Sequence, residues 1–283
     1  RNIVADDRWI AREHPELAGV VEERVTQLKM AVEDLTTPAV VEPARRFVTS
    51  VTNLVVLAAC PQRFKWIHHD RLPRRPTRSA TLGTAFHRQV ELHNLGVIAF
   101  DDPSDATYDS ESDGRDSRER STADPWQVFA KSRFLGTKPL LAEAPFEISV
   151  GEGSIRGKVD AIYEPDPEHW EIVDYKSGRH REDPSLGVQL EVYAVAAADG
   201  ALSGTPPVTM DVTFAYFGGG KLVEVTETVD EEWLTRARRN VTSLVEQGAD
   251  GPFTPNPSEA CRWCDFLHLC PAGQNFMQDQ ERT

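Results

Sequence analysis

Gly157-Lys158-Val159-Asp160 and, fourteen residues beyond that aspartate, Asp174-Tyr175-Lys176 form the stretch around which the chain reads as organised. The apolar runs Ser154 to Tyr163 and Trp170 to Tyr175 are rich in Ile and Val, and Glu164-Pro165-Asp166-Pro167 separates them. They read as strand, turn, strand. Residues two apart on a strand point to the same face, so Asp174 and Lys176 converge on one spot. Paired carboxylates suit a hard divalent cation, and a lysine beside them suits orientation of an activated water. That combination points to metal-assisted hydrolysis of a phosphodiester.

Working outward, Leu82 to Leu95 has helical periodicity and carries Gly83-Thr84-Ala85-Phe86-His87. A lone helix histidine is more often a core or surface residue than a ligand. Downstream, Leu186 to Ala198 reads as a helix with Gln189 and Tyr193 four apart on one face. Strands are expected at Ala144 to Val150, Val208 to Phe217 and Lys221 to Thr228, the last two joined by Gly218-Gly219-Gly220 as a hairpin. Asp230 reads as the N-cap of a helix through Val245. Helices are also expected at Val51 to Phe64, opened by Ser50, and at Trp126 to Leu135.

Taken in order, His87, Gly157-x-x-Asp160, Asp174-x-Lys176 and Gln189-x-x-x-Tyr193 resemble the motifs of the PD-(D/E)XK nuclease superfamily, and within it the RecB-like branch. Asp174 stands where many members of that branch carry Glu. The resemblance covers roughly residues 50 to 275. It implies an α/β fold with a restriction-endonuclease-like core, a mixed central β-sheet flanked by helices, with added N- and C-terminal helical segments. It also implies a Mg²⁺- or Mn²⁺-dependent deoxyribonuclease in DNA repair or recombination, acting on single-stranded DNA or DNA ends. His87, Asp160, Asp174 and the Tyr175 carbonyl would hold the cation. Lys176 would position water, and Gln189 and Tyr193 would hold the DNA strand.

The chain has four cysteines: Cys60, and two hundred residues later Cys261, Cys264 and Cys270. So compact a trio in a cysteine-poor chain suggests metal binding rather than disulfides. A zinc site built from the trio with His268 is one reading. One distant cysteine plus three clustered ones fits a four-thiolate iron-sulfur cluster better. In the RecB-like branch the resemblance implies a [4Fe-4S] cluster that staples the C-terminus to the start of the domain. Trp263, Phe266 and Leu269 are expected to shield it.

The net charge of -14 runs against nucleic-acid binding. Residues 101 to 124, however, hold nine acids against three arginines and read as a mobile acidic insert. Basic residues gather elsewhere, at Arg71, Arg74, Arg75 and Arg78, at Arg179 and Arg181, and at Arg236, Arg238 and Arg239. A solvated face is the plain alternative for each group.

Residues 1 to 48, with a helical pattern from Leu17 to Leu35, read as an N-terminal helical segment or the end of a preceding domain, and 49 to 283 as the nuclease domain. The chain starts without methionine, as a piece of a longer protein would. A helicase motor is implied by the resemblance, in the same full-length chain or a partner subunit, since no phosphate-binding Gly-Lys-Ser/Thr loop occurs here. No apolar run approaches the roughly 20 residues of a membrane span, so a cytoplasmic protein is expected. Two other classes compete. A catalytically inactive nuclease-fold scaffold would have no need of both acids and the lysine, and a zinc-stapled interaction domain would be colourless.

Overall fold

The structure, a computed structural model, describes residues 47–74, 78–96 and 124–282, all within a unit that spans Arg46–Thr283. The expected N-terminal helix, Arg75 and the acidic insert up to residue 123 lie outside the described residues. Asp124 is the N-cap of a helix, accepting from Trp126 N at 3.0 Å.

A strand that periodicity did not suggest comes first: Phe47–Ser50 (β1). Its last residue caps helix α1 (Val51–Ala59), Ser50 Oγ accepting from Asn53 N at 3.3 Å. The single helix expected through Phe64 is two. Cys60 is extended (φ -159°, ψ 103°) and α2 (Pro61–His68) starts afresh, because a proline lacks the N–H and disfavours helical backbone in the residue before it. Helix α3 (Arg78–Asn94) carries His87, and α4 (Pro125–Phe129) is shorter than expected. Then follow β2 (Leu141–Val150), β3 (Gly153–Asp166), β4 (His169–Lys176), α5 (Pro184–Ala198), β5 (Thr209–Tyr216), β6 (Val223–Val229) and α6 (Glu231–Asp250). Asp230 caps α6, accepting from Trp233 N at 2.7 Å. Two short 3₁₀ turns lead to α7 (Pro271–Glu281).

The sheet is mixed, with order β1-β3-β4-β5-β6 and β2 antiparallel to β3. Strand β2 pairs with Gly153 through Ile162, so β1 and β4 must share the opposite edge of β3. They do not meet. Strand β1 pairs in parallel only as far as Ser50↔Arg156, and the antiparallel β4 ladder begins at Ala161↔Val173. Residues 157 to 160 therefore face a gap in the sheet, free of ladder partners on that edge.

Alternation puts Ile172 on one face and Val173 on the other. Helices α1, α5 and α6 cover the first, burying Leu54, Leu57, Val192 and Val241. Helices α3 and α4 cover the second, burying Phe86, Val90 and Phe129 against Tyr175 and Phe217. No helix among the described residues is long and apolar enough to cross a membrane.

Gly157 marks where α1 crosses the gap. A Cβ there would press on the Phe146 ring and come within 2.6 Å of Val51 Cγ2, both in the core. Gly157→Ala is expected to destabilise the domain by about 1–3 kcal/mol through overpacking, read as a lower urea midpoint. An unchanged midpoint would show that α1 can shift away freely.

Candidate active site

The gap in the sheet leaves backbone groups that something else must satisfy. Asp160 takes one: its Oδ2 accepts from Tyr175 N at 2.9 Å. Tyr193 takes another, its hydroxyl donating to Lys158 O at 3.0 Å. Continuing the β3–β4 register past Ala161↔Val173 sets Asp160 across from Asp174, where the strands part. The ladder between β2 and β3 is also interrupted here. Ala142↔Ala161 and Ala144↔Val159 are paired, while Glu143 between them has φ 52° and forms an ion pair with Lys158.

Asp174 is 1% exposed. Its Oδ1 accepts from Gln189 Nε2 at 2.5 Å, and its Oδ2 lies 2.7 Å from Lys176 Nζ with no well-directed donor of its own. Lys176 Nζ also donates to Gln189 Oε1 at 2.7 Å and sits 5.1 Å from the centre of the Phe214 ring. Gln189 thus clamps the carboxylate with its amide nitrogen and the ammonium with its amide oxygen. The nitrogen also donates to Tyr193 Oη at 2.8 Å. Tyr193 is 3% exposed, and its hydroxyl supports the backbone of the site.

Burial raises the Asp174 carboxyl to about 6, against the pull of Lys176 and with the help of the Asp160 charge. His87 Nδ1 lies 3.5 Å from Asp160 Oδ2. Burial opposes its charge, but the bond to Asp160 and the two carboxylates outweigh that and raise its pKa. The Tyr175 side chain turns into the second core, its hydroxyl 2.6 Å from that of Tyr163. Its backbone lies between Asp174 and Lys176, as the sequence requires.

His87, Asp160, Asp174, Lys176, Gln189 and Tyr193 thus form one chain of contacts across α3, β3, β4 and α5. Glu143 and Lys158 were not anticipated as neighbours; the positive φ of Glu143 leaves no mark in the sequence. Each carboxylate is turned to protein donors, and among the described residues no three His, Cys, Asp or Glu side chains face one another at metal-ligating spacing. The donor set still fits a hard divalent cation in kind: two carboxylates and an imidazole, with a buried Asp174 oxygen held by the Lys176 ammonium alone.

The C-terminal segment packs on the start of the domain. Asn256 Nδ2 donates to Ala59 O at 3.0 Å, Phe253 stacks on Phe64, and Phe266 packs against Trp66. Cys60 and Cys261 are both close enough to Cys264 to act on its charge; burial is the main cause of its raised pKa. Cys261 Sγ and Cys270 Sγ each lie 3.5 Å from where a Cβ on Gly273 would stand. Backbone N–H groups of Ser258 and Gly273 point at Cys261 and Cys270 sulfurs. His268 is exposed. Of the expected shield, Phe266 is buried, but Trp263 and Leu269 are 67% and 50% exposed. The 3₁₀ turns that carry these two direct much of both side chains to solvent.

A family model described as the PD-(D/E)XK nuclease superfamily matches residues 48–271. The chain is 27% identical over 267 residues to the Gene 69 protein of Mycobacterium phage D29, covering 78% of this chain and 96% of that protein. It is 23% identical over 286 residues to the Gene 69 protein of Mycobacterium phage L5, covering 78% and 95%. A solved structure from Eubacterium rectale with a provisional exonuclease designation is 12% identical, covers 81% of this chain and 91% of its own, and has a TM-score of 0.48.

The raised Asp174 pKa sets a stability profile. Its carboxyl titrates near 3.8 unfolded and near 6 folded, so the folded state holds the proton more tightly. Stability is lost as pH rises through that window. In chelator-treated protein, Asp174→Asn should be more stable than wild type above pH 6, by an amount on the order of 3 kcal/mol, and should lose that advantage below about pH 4. Chemical unfolding at the two ends of the window measures it, and an advantage that does not change with pH would contradict the assignment.

Proposed function

Because the chain belongs to the PD-(D/E)XK nuclease superfamily, we propose that it is a divalent-metal-dependent deoxyribonuclease acting on single-stranded DNA or DNA ends. One observation carries the reading: buried Asp174 is clamped between Gln189 and Lys176 and lies across from Asp160, itself bonded to His87. A structural ion pair would need one acid, whereas this site keeps two acids beside one ammonium in a region where burial already strains one of them.

Asp160, Asp174, His87 and the Tyr175 carbonyl would hold Mg²⁺ or Mn²⁺. When bound, the cation supplies Lewis acidity and lowers the pKa of a coordinated water. The chain's own residues do the rest. His87 must be neutral to ligate, so one ring proton has to leave on loading, while its Nδ1–H can still donate to Asp160. Lys176 Nζ, held by the Gln189 amide oxygen, orients the attacking water and offsets charge growing on the phosphoryl oxygens. Tyr193 keeps the Lys158 carbonyl and thus the Asp160 backbone in place.

Asp160→Ala, Asp174→Ala and Lys176→Ala should each lower cleavage of end-labelled DNA by at least about a hundredfold, since groups acting as a unit fail together. His87→Ala should also be severe. Wild-type rates in any of the first three, in folded protein, would refute the assignment.

For the cysteines we propose a [4Fe-4S] staple; the packing of the C-terminal segment on α1 and α2 and the two backbone N–H groups aimed at sulfur support it. Coupling to a helicase in repair or recombination rests on the RecB-like motifs alone. Anaerobically purified protein should be brown with about four irons per chain, and Cys60→Ser should bleach it as fully as Cys264→Ser. Colourless protein carrying zinc, indifferent to Cys60→Ser, would replace the cluster with a zinc site and leave the nuclease reading intact.

A further inference from the structure

Trp263 is 67% exposed and is the one aromatic among the large exposed hydrophobic residues of the described chain. It sits between Cys261 and Cys264, yet Phe266 and not Trp263 buries itself in that segment. Two guanidinium groups attend its ring, Arg181 and Arg262, each 5.9 Å from the centroid. Both arginines are exposed. Arg133, Arg156 and Arg238 are neutralised by Glu171 and Glu224, Glu147 and Asp199. Arg181 and Arg262 have no carboxylate partner among the described residues.

The patch is joined to the candidate active site through Arg181. Arg181 lies in the loop that leaves Lys176 and enters α5, five residues on and so within about 18 Å of chain. That loop is pinned at its start. Phe217 N donates to Lys176 O at 2.8 Å, Gly218 N donates to Gly178 O at 3.0 Å, and His180 packs edge-on to Tyr216 with ring centroids 5.0 Å apart. The cysteine segment therefore presents an exposed indole, and the active-site loop presents one of the two guanidinium groups that lie over its ring.

We propose that Trp263, with Arg181 and Arg262, is a stacking platform for an unpaired base of a single DNA strand led to the active site. An exposed indole offers a π-face to any base that takes the place of a guanidinium now over the ring, and the exposed arginine so displaced is free to meet a neighbouring phosphate. A base inside a duplex has both faces occupied by its neighbours and cannot use the ring. In a chain of net charge -14, general attraction for DNA is weak. Local stacking then carries a larger share of strand capture, and the platform selects unpaired ends over duplex.

This inference rests on the nuclease reading for the identity of its ligand, and the test keeps the two apart. Binding of fluorescein-labelled oligothymidylate, of blunt duplex and of an abasic strand of equal length is measured by anisotropy in Ca²⁺; duplex cleavage is measured separately in Mn²⁺. Wild type should bind oligothymidylate about tenfold more tightly than the abasic strand. Trp263→Ala should erase that preference while Trp263→Phe keeps most of it, with duplex binding, duplex cleavage and metal content per chain unchanged. Equal wild-type affinity for the abasic strand would overturn the proposal without need of any variant. So would Trp263→Ala that retains the preference, or that weakens duplex and single strand alike. Absence of metal-dependent cleavage in wild type would instead remove the nuclease reading.

Discussion

The whole site depends on one interruption: strand β3 loses β1 at Arg156 and does not gain β4 until Ala161. Within residues 157 to 160 of a central strand, the backbone groups directed to that edge then have no ladder partner. Side chains fill in. Asp160 accepts from Tyr175 N, and Tyr193 reaches from α5 to Lys158 O. An acid that would otherwise be costly to bury is thereby required by the backbone, and the part of the sheet that cannot close is where the acids gather.

A second constraint follows from burial of Asp174. Removing a carboxylate from water is expensive unless it is paired and hydrogen-bonded. Lys176, two residues on, supplies the charge, and Gln189 supplies a donor to the acid and an acceptor to the ammonium. The compensation is incomplete, since the carboxyl is still raised to about 6 and one oxygen lacks a directed donor. An incompletely satisfied acid of this kind is stabilised by any cation that joins it. The strain left in the folded protein is thus of the sign that metal loading would relieve.

Much of this was legible in the sequence, for reasons that particular residues make plain. The Asp174-x-Lys176 spacing is a strand period, so the shared face followed from geometry; Gln189 and Tyr193, four apart, had to share a helix face. The caps at Ser50 and Asp230 were readable because a short polar side chain before an apolar run has one common use. Strand β1 was not readable: four residues carry no usable period, and only its parallel partner Gly153–Arg156 defines it. That Tyr193 reaches into the gap in the sheet was not readable, because a helix face says nothing about whether it looks to solvent or to such a gap. Trp263 was misread for a related reason. Its neighbourhood to cysteines suggested burial, whereas the 3₁₀ turn that carries it points it outward.

The central claim is that the two acids and the lysine hydrolyse phosphodiesters with a divalent cation between protein and phosphate. It is tested most directly on wild-type protein stripped with EDTA and then assayed on end-labelled single-stranded DNA, with Mg²⁺ or Mn²⁺ restored or withheld. The account predicts shortening of the strand with either or both cations and none in EDTA. Cleavage that is undiminished in EDTA, or no cleavage with either cation in folded protein, would contradict it.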